Sequence, residues 1–228
     1  GKKYVLRGDG TTLYMTQDLY LAYLKNKEFK ADKYIFVVGS EQKYHFDVLF
    51  ELLERVGYGG VDKNFHFAFG MVYDKNGRPF SSREGNVIEA DELIDLVEQR
   101  AERNLKKKSS NLSDNEIEHR KKIIGYSALS FKILKTNPLD DIHFDIDKAL
   151  SFEGETGPYV QYTYARIKSI LKKAGYKEVS DIDYSKFGEK ESSLIKTLKE
   201  YPLVVEEASK KYRPSHIANY LIKLSQNF

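Results

Sequence analysis

Three absences from this sequence of 228 residues each exclude a class of protein. There is no cysteine, which excludes a disulfide-stabilised scaffold and any zinc or iron–sulfur site built on cysteine ligands. No run of apolar residues approaches the roughly 18 that a membrane-spanning helix needs. The first ten residues lack the apolar core of a signal peptide. We therefore expect a soluble, cytoplasmic protein without a membrane partner.

The sequence does contain enough apolar material for a core, at 41% of residues, together with 31% charged residues. The charges are unevenly divided. Residues 1–100 hold 14 basic and 16 acidic side chains, whereas residues 101–228 hold 23 and 18. A mildly basic second half, rich in lysine and tyrosine, suits a polyanion such as nucleic acid. A solvated helical surface would give the same pattern.

The first hundred residues alternate strand and helix signals. Two continuous apolar runs are typical of parallel strands that are buried on both faces. The connection between them is long enough for a helical crossover, which indicates an α/β layer with parallel strands. Thr11 or Thr12 is the expected cap of the first helix. Strands are expected at 34–38 and 65–73, helices at 13–27 and 42–56, and turns at 8–10 and 74–77.

Beyond residue 109 the patterns are helical throughout. Ser113 and Glu116 have the spacing of a capping box, which predicts a helix that runs to about residue 135. Asn137-Pro138 ends that helix, and residues 144–157 are expected to form an irregular linker. The second half is therefore predicted to be an all-α bundle. Its further helices are expected at 158–173, 189–198, 202–211 and 214–227.

Two groups of polar residues lie where a ligand could bind. Tyr14 and Asp18 are four apart on one face of a predicted helix, and a phenol beside a carboxylate suits a guanidinium or ammonium group. A surface aspartate beside a half-buried tyrosine is the alternative. Gly39, Gln42 and His45 follow the first buried strand, at the end where open α/β sheets bind ligands. An ordinary strand-to-helix turn would have the same composition.

The loop at 78–86 follows the second buried strand and contains Ser81, Ser82, Arg83 and Gly85. Hydroxyls, an arginine and a glycine can surround phosphate groups, although a solvated loop fits these residues equally well. The sequence has no Walker-type glycine-rich loop. Its five histidines are scattered without the spacing of a metal site, so no protein-ligated metal is expected.

Taken together and in this order, these segments resemble the arginyl subgroup of the class I aminoacyl-tRNA synthetases. Residues 7–19 (RGDGTTLYMTQDL) are similar to that family's R-S-D-G-T-S-L-Y-x-T-R-D-L. Residues 37–46 (VVGSEQKYHF) resemble V-V-G-x-x-Q-x-x-H-F, and residues 66–72 (HFAFGMV) resemble H-x-x-F-G-M-V. Residues 149–166 resemble the beginning of the family's helical anticodon-binding domain.

The resemblance implies a fold and an activity. The fold would be α/β at 1–140, as the second half of a Rossmann-like class I catalytic domain, followed at 141–228 by an all-α helical-bundle anticodon-binding domain. The activity would be the ATP-dependent activation of L-arginine, which needs bound tRNA, and the transfer of arginine to the 3′ end of tRNA(Arg). A monomer is expected, with Mg²⁺ accompanying ATP as substrate.

The resemblance also implies roles for single residues. Tyr14 and Asp18 would grip the guanidinium group of arginine, and Gln42 would help to hold the amino acid. Tyr159, Tyr162 and Arg166 would face tRNA, although packing of the bundle is slightly favoured for the two tyrosines. ATP would meet Gly39, His45, His66, Phe69, Gly70, Met71 and Val72, and the catalytic loop would supply Ser81, Ser82 and Arg83.

The sequence departs from the family pattern at two points. Pro79 and Ser82 replace the lysines of the class I K-M-S-K-S loop, so Arg83 is the candidate for stabilising the transferring phosphates. The His-x-Gly-His motif, which binds ATP phosphates in the family, does not occur in these residues. We therefore expect both ends to be cut from a longer protein and the isolated chain to be inactive. The alternative is a non-catalytic tRNA- or RNA-binding fragment, or a synthetase-like regulator.

Overall fold

The computed structural model describes residues 4–79, 89–108, 111–175 and 182–228. The chain forms two compact units. The N-terminal unit is Gly1–Met71 with Pro138–Asp140, and the C-terminal unit is Val72–Asn137 with Asp141–Phe228. The strands are β1 (Tyr34–Gly39), β2 (Asn64–Phe69), β3 (Val72–Asp74) and β4 (Ile142–Phe144). The helices are α1 (Tyr14–Phe29), α2 (Lys43–Arg55), α3 (Ala90–Lys108), α4 (Asp114–Lys135), α5 (Ile146–Ala149), α6 (Gly157–Lys173), α7 (Glu189–Lys211) and α8 (Ser215–Asn227).

In the N-terminal unit, β1 and β2 pair in parallel, as the long connection between them predicts. Tyr34 lies opposite Asn64 at one end of the ladder, and Gly39 lies opposite Phe69 at the other. The core combines the apolar faces of α1 and α2 with one face of this sheet. Its centre is aromatic, because Phe36 of β1 packs against Phe46 and Phe50 of α2 with ring centroids 5.3 and 5.5 Å apart.

The expectation that β1 is buried on both faces is wrong. Phe36 and Val38 face the core, but Ile35 and Val37 point away from it, and Val37 is 64% exposed. Successive side chains of a strand point to opposite faces, and in the described residues the core packs against one face of this two-stranded sheet. The apolar run therefore predicted the strand correctly and its second buried face incorrectly.

The second apolar run is also divided differently from the prediction. Residues 65–73 do not form one strand, because the N–H of Gly70 donates to the carbonyl of Pro138 at 2.8 Å instead of continuing the ladder with β1. After that break, β3 pairs in parallel with β4 within the C-terminal unit. The residues expected to be an irregular linker, 144–157, contain the short helix α5, whose first N–H groups are capped by Asp145.

Small residues bring the helices of the C-terminal unit close together. A side-chain carbon added to Gly157 of α6 would lie 2.5 Å from the carbonyl oxygen of Ser127 and 2.9 Å from Cβ of Phe131. A carbon added to Gly125 of α4 would lie 3.1 Å from the Glu98 side chain on α3. The buried cluster beside these contacts is accordingly built largely of alanine and branched aliphatic residues. No helix in the described ranges is long and apolar enough to cross a membrane.

The helix ends show which local signals the chain uses. The capping box of α4 is confirmed, because the Ser113 hydroxyl accepts from the Glu116 N–H and the Glu116 carboxylate accepts from the Ser113 N–H. The expected threonine cap of α1 is wrong, since Leu13 is the N-cap residue and makes no side-chain cap. Thr11 instead closes the preceding turn, where its hydroxyl and N–H both donate to Asp9. These bonds hold the pKa of Asp9 below its ordinary value.

The two helices expected at 189–198 and 202–211 are one helix, α7, with Pro202 inside it. Proline costs a helix one backbone hydrogen bond and a steric conflict with the preceding turn. Contacts with α8 lie on the same stretch and hold it in place. The Tyr201 ring packs against Tyr220, with centroids 5.5 Å apart, and Lys223 pairs with Glu200 at 2.6 Å. Packing therefore outweighs the local break signal.

Candidate functional site

The carboxyl ends of β1 and β2 form a mouth at one edge of the N-terminal unit. Gly39 is buried there, opposite Phe69, and a single 3₁₀ turn, Ser40–Gln42, leads into α2. A side chain on Gly39 would overlap the Glu41 carboxylate, which folds back over the glycine. Ligands of open α/β sheets bind at this end of the strands, where helix N–H groups and glycine backbone are accessible. Gly39 and Gln42, which were predicted from the sequence, therefore lie at the edge of the sheet where such ligands bind.

A hydrogen-bonded pair of side chains joins α1 and α2. Nε2 of His45 lies 2.6 Å from Oδ2 of Asp18. The Asp18 side chain is 40% exposed and the His45 side chain 24%. The two residues are 27 positions apart in the chain, and the packing of Met15 and Ala22 of α1 with Phe46 of α2 brings them together. Sequence reasoning selected both residues but predicted different ligands for them.

The remaining predicted arginine-binding residues are open to solvent. Tyr14 begins α1, one turn before Asp18 on the same face, and is 82% exposed. Gln42 ends the 3₁₀ turn before α2 and is also exposed. An exposed phenol and a partly exposed carboxylate thus lie on α1, and an exposed amide lies on the turn that starts α2. These groups can accept and donate hydrogen bonds to a polar cation.

The predicted ATP strand presents its residues unequally. Nε2 of His66 lies 3.0 Å from the Val38 carbonyl, to which it donates, and the ring stacks on Phe46 with centroids 4.3 Å apart. His66 therefore fastens β2 to β1 and α2. Phe69 and Met71 are exposed, whereas Gly70 is buried and uses its N–H within the fold. Val72 packs against the core of the C-terminal unit.

The turn before the predicted phosphate loop is firmly closed. Oδ1 of Asp74 accepts from the N–H groups of Asn76 and Arg78, at 2.8 and 2.9 Å. The bond from Arg78 is the main reason why the pKa of Asp74 lies below its ordinary value. Tyr73 and Pro79 then form an antiparallel bridge. The three predicted catalytic residues, Ser81, Ser82 and Arg83, lie outside the described residues.

The three residues of α6 that were predicted to face tRNA differ in exposure. The Tyr159 hydroxyl donates to the Ser225 carbonyl of α8 at 3.3 Å, so this side chain packs the bundle. Tyr162 is 50% exposed and Arg166 is exposed one turn later on the same face. A ring and a guanidinium plane that share an open helix face can stack on unpaired bases.

One cavity was not predicted from the sequence. It has a volume of about 330 Å³ and lies in the C-terminal unit between α3 and the residues around β4. Leu96, Phe144 and Ile146 form apolar parts of its wall, and Arg100 pairs across it with Asp147 at 2.6 Å. The sequence feature that could have indicated this cavity is the pair Arg100 and Arg103, which lie one turn apart on α3. Among the described residues, no three histidine, aspartate or glutamate side chains are grouped so as to hold a metal ion.

Comparison with known proteins identifies the family of the chain. Residues 2–146 match the tRNA synthetases class I (R) catalytic domain, in which R is the one-letter code for arginine. The chain belongs to this family. Residues 160–228 match the DALR anticodon binding domain. The resemblance inferred from the sequence is thereby confirmed, as is the fold class, a class I catalytic domain followed by an all-helical anticodon-binding domain.

Individual relatives agree with the family. The chain is 41% identical over 225 residues to an arginine–tRNA ligase of Lactococcus lactis and 40% identical to one of Streptococcus thermophilus. Each alignment covers 98% of this chain but 39% of the relative. The solved arginyl-tRNA synthetase of Thermus thermophilus is 28% identical and superimposes with a TM-score of 0.85, over 98% of this chain and 41% of that one. The chain thus spans about two fifths of the length of these relatives.

Proposed function

We propose that the complete product of the reading frame that encodes this chain is an arginine–tRNA ligase. The observation that carries the proposal is the accessible Asp18 carboxylate on α1, with Tyr14 one turn before it and Gln42 at the start of α2. An ionised carboxylate can bind both N–H groups of one guanidinium edge, which gives geometric selectivity as well as affinity. A neutral amino acid would offer no cation to the second oxygen of this carboxylate, Oδ1, and would therefore bind less tightly than arginine.

The reaction would proceed in two displacements. A carboxylate oxygen of arginine forms a bond to the α-phosphorus of ATP as pyrophosphate leaves. The terminal ribose hydroxyl of tRNA(Arg) then takes the arginyl group and AMP departs. Both steps depend mainly on positioning and on neutralising phosphate charge, and the Mg²⁺ that accompanies ATP shares that charge.

The residues proposed for ATP lie along β1, β2 and the loop that follows. Gly39 and the exposed Phe69 and Met71 are suited to a nucleotide at the mouth, since they offer backbone approach and apolar contact. His66, Gly70 and Val72 would act by holding the strand in place, given their contacts within the fold. Ser81, Ser82 and Arg83 stay predictions for the transferring phosphates. Three further statements also stay predictions: the division into functional domains at residue 140, the monomeric state and the cytoplasmic location.

The test of this function is substitution of Asp18. Asp18→Ala in the complete protein should lower arginine-dependent aminoacylation by orders of magnitude, because the guanidinium loses its ionic partner. Binding of tRNA, measured by filter retention, should stay within about twofold. Asp47→Ala, which removes another exposed carboxylate from α2, is the matched control and should leave both measurements unchanged. Undiminished aminoacylation by Asp18→Ala would refute the assignment.

We also propose that the exposed face of α6 contacts tRNA. Tyr162→Ala should weaken tRNA binding about tenfold, through the loss of one base-stacking surface. Tyr159→Phe, which keeps the ring but loses the bond to Ser225, should leave tRNA affinity unchanged. The affinity of the wild-type chain should also fall markedly as salt is raised, since phosphate contacts release counterions. Equal effects of the two tyrosine variants would refute this assignment of the face.

A second candidate function is RNA binding without turnover, either as a binding fragment or as a synthetase-like regulator. It is favoured by the match of residues 160–228 to an anticodon binding domain and by the exposed Tyr162 and Arg166 of α6, because RNA binding by that part of the chain needs no ATP site. Aminoacylation by the complete product would exclude it. Binding of tRNA by the complete product, with no formation of arginyl-tRNA under any substrate concentration, would establish it instead.

A further inference from the structure

The contact between His45 and Asp18 has a consequence for how a guanidinium could be bound. One oxygen of the Asp18 carboxylate, Oδ2, lies 2.6 Å from Nε2 of His45. The other oxygen, Oδ1, accepts no hydrogen bond from any of the described residues. An ionised carboxylate can only accept, so the hydrogen lies on Nε2 and the imidazole donates. The carboxylate is therefore held at one oxygen and left open at the other.

The imidazole is itself held in place. His45 lies in the first turn of α2, its ring meets Phe46 edge-on with centroids 5.6 Å apart, and Phe46 is buried between α1 and β1. Side chains whose rotamers are fixed by packing can fix those that they bond. The position of the Asp18 carboxylate thus depends on α2 as well as on its own helix.

We propose that His45 is a positioning residue for arginine: it donates from Nε2 to Asp18 and orients that carboxylate for two-point binding of the guanidinium. This inference rests on the proposed function and assigns His45 to the amino acid, whereas the family resemblance implies a place beside ATP. Fixing the carboxylate before the ligand arrives reduces the ordering that binding would otherwise require. Bidentate pairing is sensitive to carboxylate orientation, so the loss of the imidazole should weaken arginine binding even though His45 does not touch arginine.

Kinetics of the complete protein distinguish the two assignments of His45. In His45→Ala, KM for arginine should rise about tenfold, which corresponds to the loss of one charge-assisted hydrogen bond. KM for ATP and kcat should each change less than about threefold. His45→Gln supplies a neutral N–H donor of similar reach and should restore most of the arginine KM. A rise in KM for ATP with an unchanged KM for arginine would overturn the proposal.

Asp18→Asn separates failure of this inference from failure of the proposed function. If Asp18→Asn leaves KM for arginine unchanged, the arginine site itself is wrongly assigned. If Asp18→Asn raises it strongly and His45→Ala does not, only the positioning role is refuted. When both act, the double variant should be no worse than Asp18→Asn alone, because residues that work through one contact are not additive.

The hydrogen bond between His45 and Asp18 can also be tested in the wild-type protein, so that the result does not depend on whether a variant folds. Long-range ¹H–¹⁵N NMR spectra of the wild-type protein report which ring nitrogen of each histidine carries hydrogen. His45 should have a protonated Nε2 whose chemical shift changes on addition of arginine and does not change on addition of ATP alone. A His45 ring protonated only at Nδ1 would overturn the proposal, since Nε2 could not then donate to Asp18.

Discussion

The two units of the molecule build their cores in different ways. The N-terminal unit packs large rings, Phe36, Phe46 and Phe50, between a two-stranded sheet and two helices. The C-terminal unit packs long helices at points where Gly125 and Gly157 remove the side chain between them. A core of a few large rings has most to lose when a side chain is shortened. Helices that pack closely through small residues are destabilised most when one of those side chains is enlarged.

The same difference separates the two candidate binding surfaces. In the N-terminal unit, Gly39 and Gln42 lie at and just after the end of β1, and the Asp18–His45 contact between α1 and α2 is partly exposed. In the C-terminal unit, Tyr162 and Arg166 are exposed along the middle of α6, a helix that buries its other side. A strand edge suits a small ligand held at several points, whereas a helix face suits an extended polymer.

The largest effect on stability is expected from shortening a ring in the N-terminal unit. Phe50→Ala removes a buried side chain that contacts Phe36 and Phe46, and it should lower the free energy of unfolding by about 4 kcal/mol. Urea unfolding, with hydrogen exchange to locate the loss in α2 and β1, measures it. Phe29→Ala is the control, since Phe29 is largely exposed at the end of α1 and should change stability by less than about 0.5 kcal/mol. A cost for Phe50→Ala below about 1 kcal/mol would contradict an aromatic core.

The complementary change enlarges a residue in the C-terminal unit. Gly157→Ala places a carbon 2.5 Å from the Ser127 carbonyl, so α6 must move away from α4, at a cost of about 2 kcal/mol. Gly8→Ala is the matched control, because a carbon there meets no atom within 4 Å. It should be nearly neutral in the same urea unfolding experiment. If Gly157→Ala also proved neutral, close helix approach would not distinguish the two units.

Local signals in the sequence account for much of the fold. The helical spacing of Phe46, Leu49 and Leu53 predicts α2, and the Ser113–Glu116 spacing predicts the start of α4 to the residue. Pairing between distant segments could not be predicted. Strands β3 and β4 have three residues each and lie about 70 positions apart, so neither carries a periodic signal of its own. The prediction that two helices flank Pro202 is wrong for a related reason. The contacts that keep α7 continuous are made with α8 and cannot be predicted from the sequence of α7.

The candidate site shows the same division. Helical spacing in the sequence selects Tyr14 and Asp18, and the position after the first strand selects Gln42 and His45. The direction in which each side chain points depends on packing between helices. The His45–Asp18 bond requires α1 to pack against α2, and the bond from Tyr159 to Ser225 requires α8, which begins 56 residues after Tyr159. Resemblance to a family supplies roles for residues but not these contacts.

A smaller effect is expected at the start of α4 in the C-terminal unit. Ser113→Ala removes the hydroxyl that accepts from the Glu116 N–H and should cost about 1 kcal/mol in urea unfolding. Helix α1 of the N-terminal unit has no side-chain cap, so this dependence distinguishes the two units. Ser209→Ala is the control, since Ser209 is exposed inside α7 and alanine is the better helix former there. It should be neutral or slightly stabilising, and a cost equal to that of Ser113→Ala would refute the cap.

The smallest effect is a dependence on pH at the same cap. The Ser113 N–H, then its hydroxyl and more weakly Arg120, hold the pKa of Glu116 below its ordinary value. A carboxyl whose pKa is lowered on folding stabilises the fold fully above its unfolded pKa, and that contribution disappears as pH falls through the folded pKa. Glutamine keeps an acceptor but cannot ionise. Wild type should therefore be slightly more stable than Glu116→Gln near pH 7, and the difference should decrease as pH falls below the ordinary pKa of a glutamate and through the lower folded pKa. Urea unfolding of both proteins across this range measures the difference. A gap that stays constant with pH would show that the charge of Glu116 contributes nothing to the capping box.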